Sequence, residues 1–146
     1  MLRDPNGGGD LVLFTCNSTN GVNVKRRLSD LGDRDWDVYR MKNWERVNMK
    51  RLLEFARTSI SKAGGTKGYD DFSAVGFRNA NLKPKTQEDI RGGYTCATVI
   101  AAALYYAGAE LDQTRSGSYI DIVSPKQVAT SKGRFFEVPN SEANSR

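Results

Sequence analysis

The sequence predicts an α+β fold, and three observations predict it. From about Trp44 to Ala63 the apolar residues Val47, Leu52, Leu53, Ala56 and Ile60 fall largely on one helical face. Lys50, Arg51, Glu54 and Arg57 fall on the other. A second run, Tyr94 to Gly108, is rich in alanine and places Val99, Ile100, Ala103, Leu104 and Ala107 at helical spacing. Short strand-like runs flank this helix pair at Leu11–Phe14, Trp36–Met41, Tyr119–Val123 and Phe135–Val138. Strands, then helices, then strands again make an α+β layout, with a small antiparallel sheet packed against the two helices.

The chain is 146 residues long, with 38% hydrophobic and 27% charged residues, which suits one soluble domain with a real core. No apolar run approaches the roughly 20 residues needed to span a bilayer, and no signal peptide opens the chain. The expected setting is therefore intracellular or within a larger particle. Cys16 and Cys96 are far apart and form neither a disulfide framework nor a zinc pattern, so neither metal nor cofactor is expected. Asn17-Ser18-Thr19 fits a glycosylation sequon, which without a signal peptide is a chance match.

Taken in order, Met1 to Asp10 is rich in turn formers and reads as a flexible lead. Its triple glycine lacks the Lys-Ser or Lys-Thr of a phosphate loop. Leu11 to Phe14 reads as a short buried strand, Asn17 to Gly21 as a turn, and Val22 to Leu31 as a weak strand running into a basic helical turn. Trp36 to Met41 alternates apolar with polar residues. The long helix follows, stopped by Gly64 and Gly65. Tyr69 to Phe77 is aromatic with little periodicity, and 79–93 and 110–118 read as polar surface loops. Ser124-Pro125 offers an N-cap followed by proline at the first helical position. Residues 11–138 read as one domain and 139–146 as a disordered tail.

Net charge is +5. Lys25, Arg26 and Arg27 form the densest cluster, followed by Lys42, Arg46, Lys50 and Arg51. No zinc finger, RNA-recognition signature or basic zipper accompanies them, so a solvated basic face or an acidic protein partner is expected rather than nucleic acid.

The chemistry that can be read centres on Cys96. Thr95 is a candidate N-cap, which places Cys96 in the first turn of its helix among free backbone N–H groups. Such a position favours a thiolate and suits a nucleophile. Against it, the chain contains no histidine. A cysteine hydrolase needs a base to take the thiol proton and return it to the leaving group, and losing one member of such a unit costs about four to six orders of magnitude in rate. Asp70 and Asp71 are candidate carboxylate bases, but a carboxylate pKa of about 4 makes either a poor partner for a thiol.

Four features, in order, resemble the permuted papain-like cysteine hydrolases, the circularly permuted branch of the NlpC-type superfamily. They are the amphipathic helix, Gly68-Tyr69-Asp70-Asp71-Phe72, the helix opening with Tyr94-Thr95-Cys96-Ala97-Thr98-Val99, and Ile122 to Val128 closed by the strand Phe135–Val138. Together they cover roughly residues 36–138. The resemblance implies a small sheet against two helices, with Cys96 at the nucleophile position. The family's histidine, on an early strand ahead of the cysteine, has no counterpart here, and Thr15 or Cys16 would stand near its orienting acidic position. The domain is then N-terminally incomplete relative to the family, or has lost the chemistry. One expectation is a silent domain serving as a structural or interaction component of an assembly, such as a virus particle, since the family has viral members. The other is a thiol hydrolase or acyltransferase acting on amides or esters, with histidine supplied from outside the chain.

Overall fold

The computed structural model describes residues 2–3, 5, 11–25, 38–42, 44–65, 69, 81–109, 128 and 135–138. Its elements run β1 (Leu2–Arg3), β2 (Leu11–Asn17), β3 (Gly21–Lys25), β4 (Val38–Met41) and α1 (Met49–Ala63), then α2 (Thr98–Tyr106) and β5 (Phe135–Val138). Short 3-10 turns at Trp44–Arg46 and Gln87–Asp89 precede α1 and α2 respectively. The fold is α+β. Its strands form two small antiparallel sheets among the described residues, β1-β2-β3 and β4-β5, where the sequence suggested one.

Strand β2 runs three residues past Phe14 because Val12, Phe14 and Cys16 share one face and that face is buried or half-buried. At its end Asn17 folds the hairpin: Oδ1 accepts the backbone N–H of Thr19 at 3.1 Å and of Asn20 at 2.8 Å. Gly21, at φ +59°, opens β3 in register with Asn17. A Cβ there would run into the carbonyl oxygens of Ala63 and Gly65, so the hairpin tip meets the end of α1 backbone to backbone.

The first ten residues are not wholly a flexible lead. Leu2 and Arg3 pair with Val12 and Leu11, and the carbonyl of Pro5 accepts the Arg57 guanidinium Nε at 2.6 Å. Backbone pairing along the open edge of β2 outweighs the turn-forming composition.

Helix α1 begins at Met49 rather than near Trp44. Asn48 caps it, its Oδ1 accepting from Arg51 N at 3.1 Å, and the Trp44–Arg46 turn leads in. Phe55, Ala56, Ser59 and Ala63 form its buried face. Helix α2 is buried on nearly all sides. Val99, Ala102, Ala103 and Tyr106 join Cys16, Val22, Phe55, Ile90 and Tyr94 in the main core. Ala101 and Ala97 pack with Leu82 and Val128 on the opposite side. The aromatic rings of Phe14, Tyr94 and Tyr106 all pack on Phe55, with centroids 5.9 to 6.4 Å away.

Segment 79–93 was expected to be a surface loop, yet Leu82, Pro84 and Ile90 are buried and Ile90 belongs to the main core. Widely spaced apolar residues in a polar segment carry no period, which hides them from pattern reading. Arg26, Arg27, the loop 110–118, the strand Tyr119–Val123, the Ser124-Pro125 helix start and the tail 139–146 lie outside the described residues. Val128 is helical and buried.

Candidate functional site

The turn bearing Cys96 is built by a reciprocal pair of threonines. Thr95 Oγ1 accepts Thr98 N at 3.2 Å, and Thr98 Oγ1 accepts Thr95 N at 2.7 Å, both side chains being buried. The carbonyl of Thr95 accepts Val99 N at 3.1 Å. Thr95 therefore caps the helix as its sequence position suggested, with threonine in the role that Glu or Gln plays in the usual capping box. Regular α2 nevertheless starts at Thr98, and Cys96 stands in the turn ahead of it, exposed.

That position does not activate the thiol. Loss of water around the sulfur pushes the Cys96 pKa up, and the backbone N–H groups of Ala97 and Cys96 itself pull it down by less. Residue exposure and local desolvation answer different questions here: exposure admits a reagent, while crowding at the sulfur sets its ionisation. The expected thiolate-favouring environment is corrected on this point. A helix start lowers a pKa only where it outweighs desolvation.

The other thiol lies nearby in the core. Cys16 Sγ donates to the Tyr94 carbonyl at 3.5 Å, and burial, reinforced by the proximity of Cys96, pushes its pKa up to about 12. It is inert packing rather than an orienting group. Asp70 and Asp71 lie outside the described residues; Tyr69 just before them bridges to Tyr94. Among the described residues no group of three or more His, Cys, Asp or Glu is placed to hold a metal ion. Nor is any described helix long and apolar enough to cross a membrane.

A second feature forms where the start of α1 meets the end of α2. The last carbonyls of α2 are all engaged. Ala103 accepts Ala107 N, Leu104 accepts Ala109 N at 2.8 Å and Tyr105 accepts Gly108 N at 3.0 Å, with Gly108 at φ +83°. The Tyr106 carbonyl accepts Arg51 Nε at 2.6 Å, and that of Ala107 accepts Asn48 N at 2.9 Å. Arg51 also lies 4.1 Å over the Tyr106 ring and donates to the Lys85 carbonyl at 2.9 Å. A groove of about 530 Å³ opens here, its lining including Arg46, Asn48, Arg51, Pro84, Lys85 and Tyr105. The basic cluster of the sequence is thus split: Arg46 and Arg51 meet Lys85 from a distant segment, which local reading missed because nothing in the sequence marks that meeting.

No protein-family model, curated protein or solved structure matches this chain.

Proposed function

We propose that this chain is a catalytically silent domain of permuted papain-like type, serving as a structural or interaction component of a larger assembly, with a virus particle as one setting. The observation that carries the reading is the absence of histidine from all 146 residues, since no other side chain titrates near neutrality without help. The upward shift of the Cys96 thiol supports it, because a nucleophile without a base must ionise unaided. The capped start of α2 and its close-packed alanines are what a retained scaffold requires, whether or not chemistry persists.

A thiol hydrolase or acyltransferase is the second reading, favoured by the exposure of Cys96 and the two N–H groups at its sulfur, with a histidine brought by another chain. Incubating the purified chain with a panel of ester and amide substrates tests the choice. No cysteine-dependent turnover is expected at neutral pH. Turnover abolished by Cys96→Ala and kept by Cys16→Ala would overturn the silent reading. Slow alkylation of Cys96 by iodoacetamide is compatible with it, as exposure alone permits that.

A further inference from the structure

The groove between the start of α1 and the end of α2 has a charge balance that its own contacts do not satisfy. Arg46, Arg51 and Lys85 line it, and among the described residues no acidic one does. Arg51 is committed to the carbonyls of Tyr106 and Lys85. Among the described residues, neither the Arg46 guanidinium nor the Lys85 ammonium has a partner. Of the nearby carboxylates, Glu45 and Glu88 are exposed and do not line the groove, and Glu54 and Asp89 are engaged elsewhere. Glu54 accepts from the Tyr106 hydroxyl at 2.7 Å and from Gln87 Nε2 at 2.6 Å, and Asp89 accepts the backbone N–H groups of Lys85 and Thr86. The first turn of α1 also carries no acidic side chain, so the positive end of this 15-residue helix, capped by Asn48, adds to the cationic character beside the groove.

Two further facts narrow the occupant. Trp44, in the same short turn as Arg46, is 62% exposed, and Met49 at the head of α1 is 43% exposed. An exposed tryptophan next to an arginine with no partner among the described residues is the composition of an interface anchor. The groove's aromatic rings, by contrast, already carry cations of this chain: Arg51 over Tyr106 at 4.1 Å and Lys83 over Tyr105 at 5.7 Å. That arrangement is poorly suited to base stacking, on which single-stranded nucleic-acid sites rely. We infer that the groove docks an acidic segment of a partner protein, its carboxylates meeting Arg46 and Lys85 and an apolar residue meeting Trp44. Charge complementarity supplies the recognition, and the ties of Arg51 and Asn48 to α2 hold the walls in place before the partner arrives.

This inference rests on the interaction-component reading, and the two fail differently: that reading fails by Cys96-dependent turnover, this one in a binding assay. The probe is a short fluorescein-labelled peptide alternating glutamate with leucine, followed by anisotropy at low and physiological salt. Binding is expected to weaken about tenfold for Arg46→Glu and for Lys85→Glu, and less than about twofold for Lys25→Glu, a cation outside the groove. A peptide with lysine in place of glutamate should bind Arg46→Glu better than the native chain, which separates charge recognition from damage to the fold. Inorganic phosphate and an oligo-thymidine strand are run as competitors. The inference is overturned if the glutamate peptide does not bind or a glutamine version binds equally well. It is also overturned if Lys25→Glu weakens binding as much as Arg46→Glu, or if the oligonucleotide binds through Arg46 more tightly than the peptide.

Discussion

The two faces of α1 do different jobs with different physics. Its inner face presents Phe55, Ala56, Ser59 and Ala63 to the sheet and to α2, and among the described residues no polar side-chain contact crosses to those elements there; the Ser59 hydroxyl turns back to the Ala56 carbonyl of its own helix. Its outer flank presents Arg51, Glu54 and Lys62, which reach the Tyr106 carbonyl, the Tyr106 hydroxyl and the Gln87 carbonyl. Burial is non-directional and stabilises in proportion to area, whereas hydrogen bonds at a wet edge add little net energy but fix positions. The inner face therefore holds the fold together. The outer one sets where α2 and the 84–89 turn lie, and with them the groove.

The widest test of that contrast is Phe55→Ala. Phe55 is fully buried and three rings pack on it, so urea unfolding should show a loss of about 3–5 kcal/mol, enough to leave a domain of this size marginal. A loss below about 1 kcal/mol would mean that the inner face is not what holds α1. Next comes Arg51→Lys, which keeps the charge but not the fork. A loss of about 1–2 kcal/mol is expected from the abandoned carbonyls of Tyr106 and Lys85. An unchanged midpoint would show that charge alone serves there.

The smallest effect is a pH dependence. The Tyr106 hydroxyl, then Gln87, holds the Glu54 carboxyl below its ordinary range, so its contribution is present above that range and is lost as pH falls through the lowered value. Burial, then the same bond to Glu54, pushes Tyr106 up to about 12, so its contribution is complete below about 10 and is lost as pH rises toward 12. Tyr106→Phe should cost about 1 kcal/mol at neutral pH and flatten both limbs of the pH–stability curve. A curve unchanged in shape would remove the Glu54–Tyr106 bond from the account.

The contrast also explains what could be read from the sequence. The inner face was visible in advance because burial imposes a period: Leu52, Ala56 and Ile60 mark α1, and the alanine-rich run marks α2. The period-2 alternation from Trp36 to Met41 likewise gave β4, and Phe135–Val138 gave β5. The boundaries depended on single hydrogen bonds and moved accordingly, Asn48 setting the start of α1. Thr95 could be identified as a cap from its own residue type, but the ionisation of Cys96 could not, since it depends on what surrounds the sulfur. The groove was the least accessible part. It needs Lys85 beside Arg46, and contacts between segments that far apart leave no local periodic trace.

The meeting of Gly21 with the end of α1 has a consequence for motion. Gly65 N donates to the Asn20 carbonyl at 2.7 Å, and Gly21 and Gly64 form a bridge, so main-chain contacts latch a hairpin tip to a helix end beside the packed side chains of Val22 and Ala63. The latching bonds themselves involve no side chain, and one added at Gly21 would prise them apart. Deuterium uptake at the Gly65 amide is therefore expected to report the opening of the hairpin tip from the end of α1.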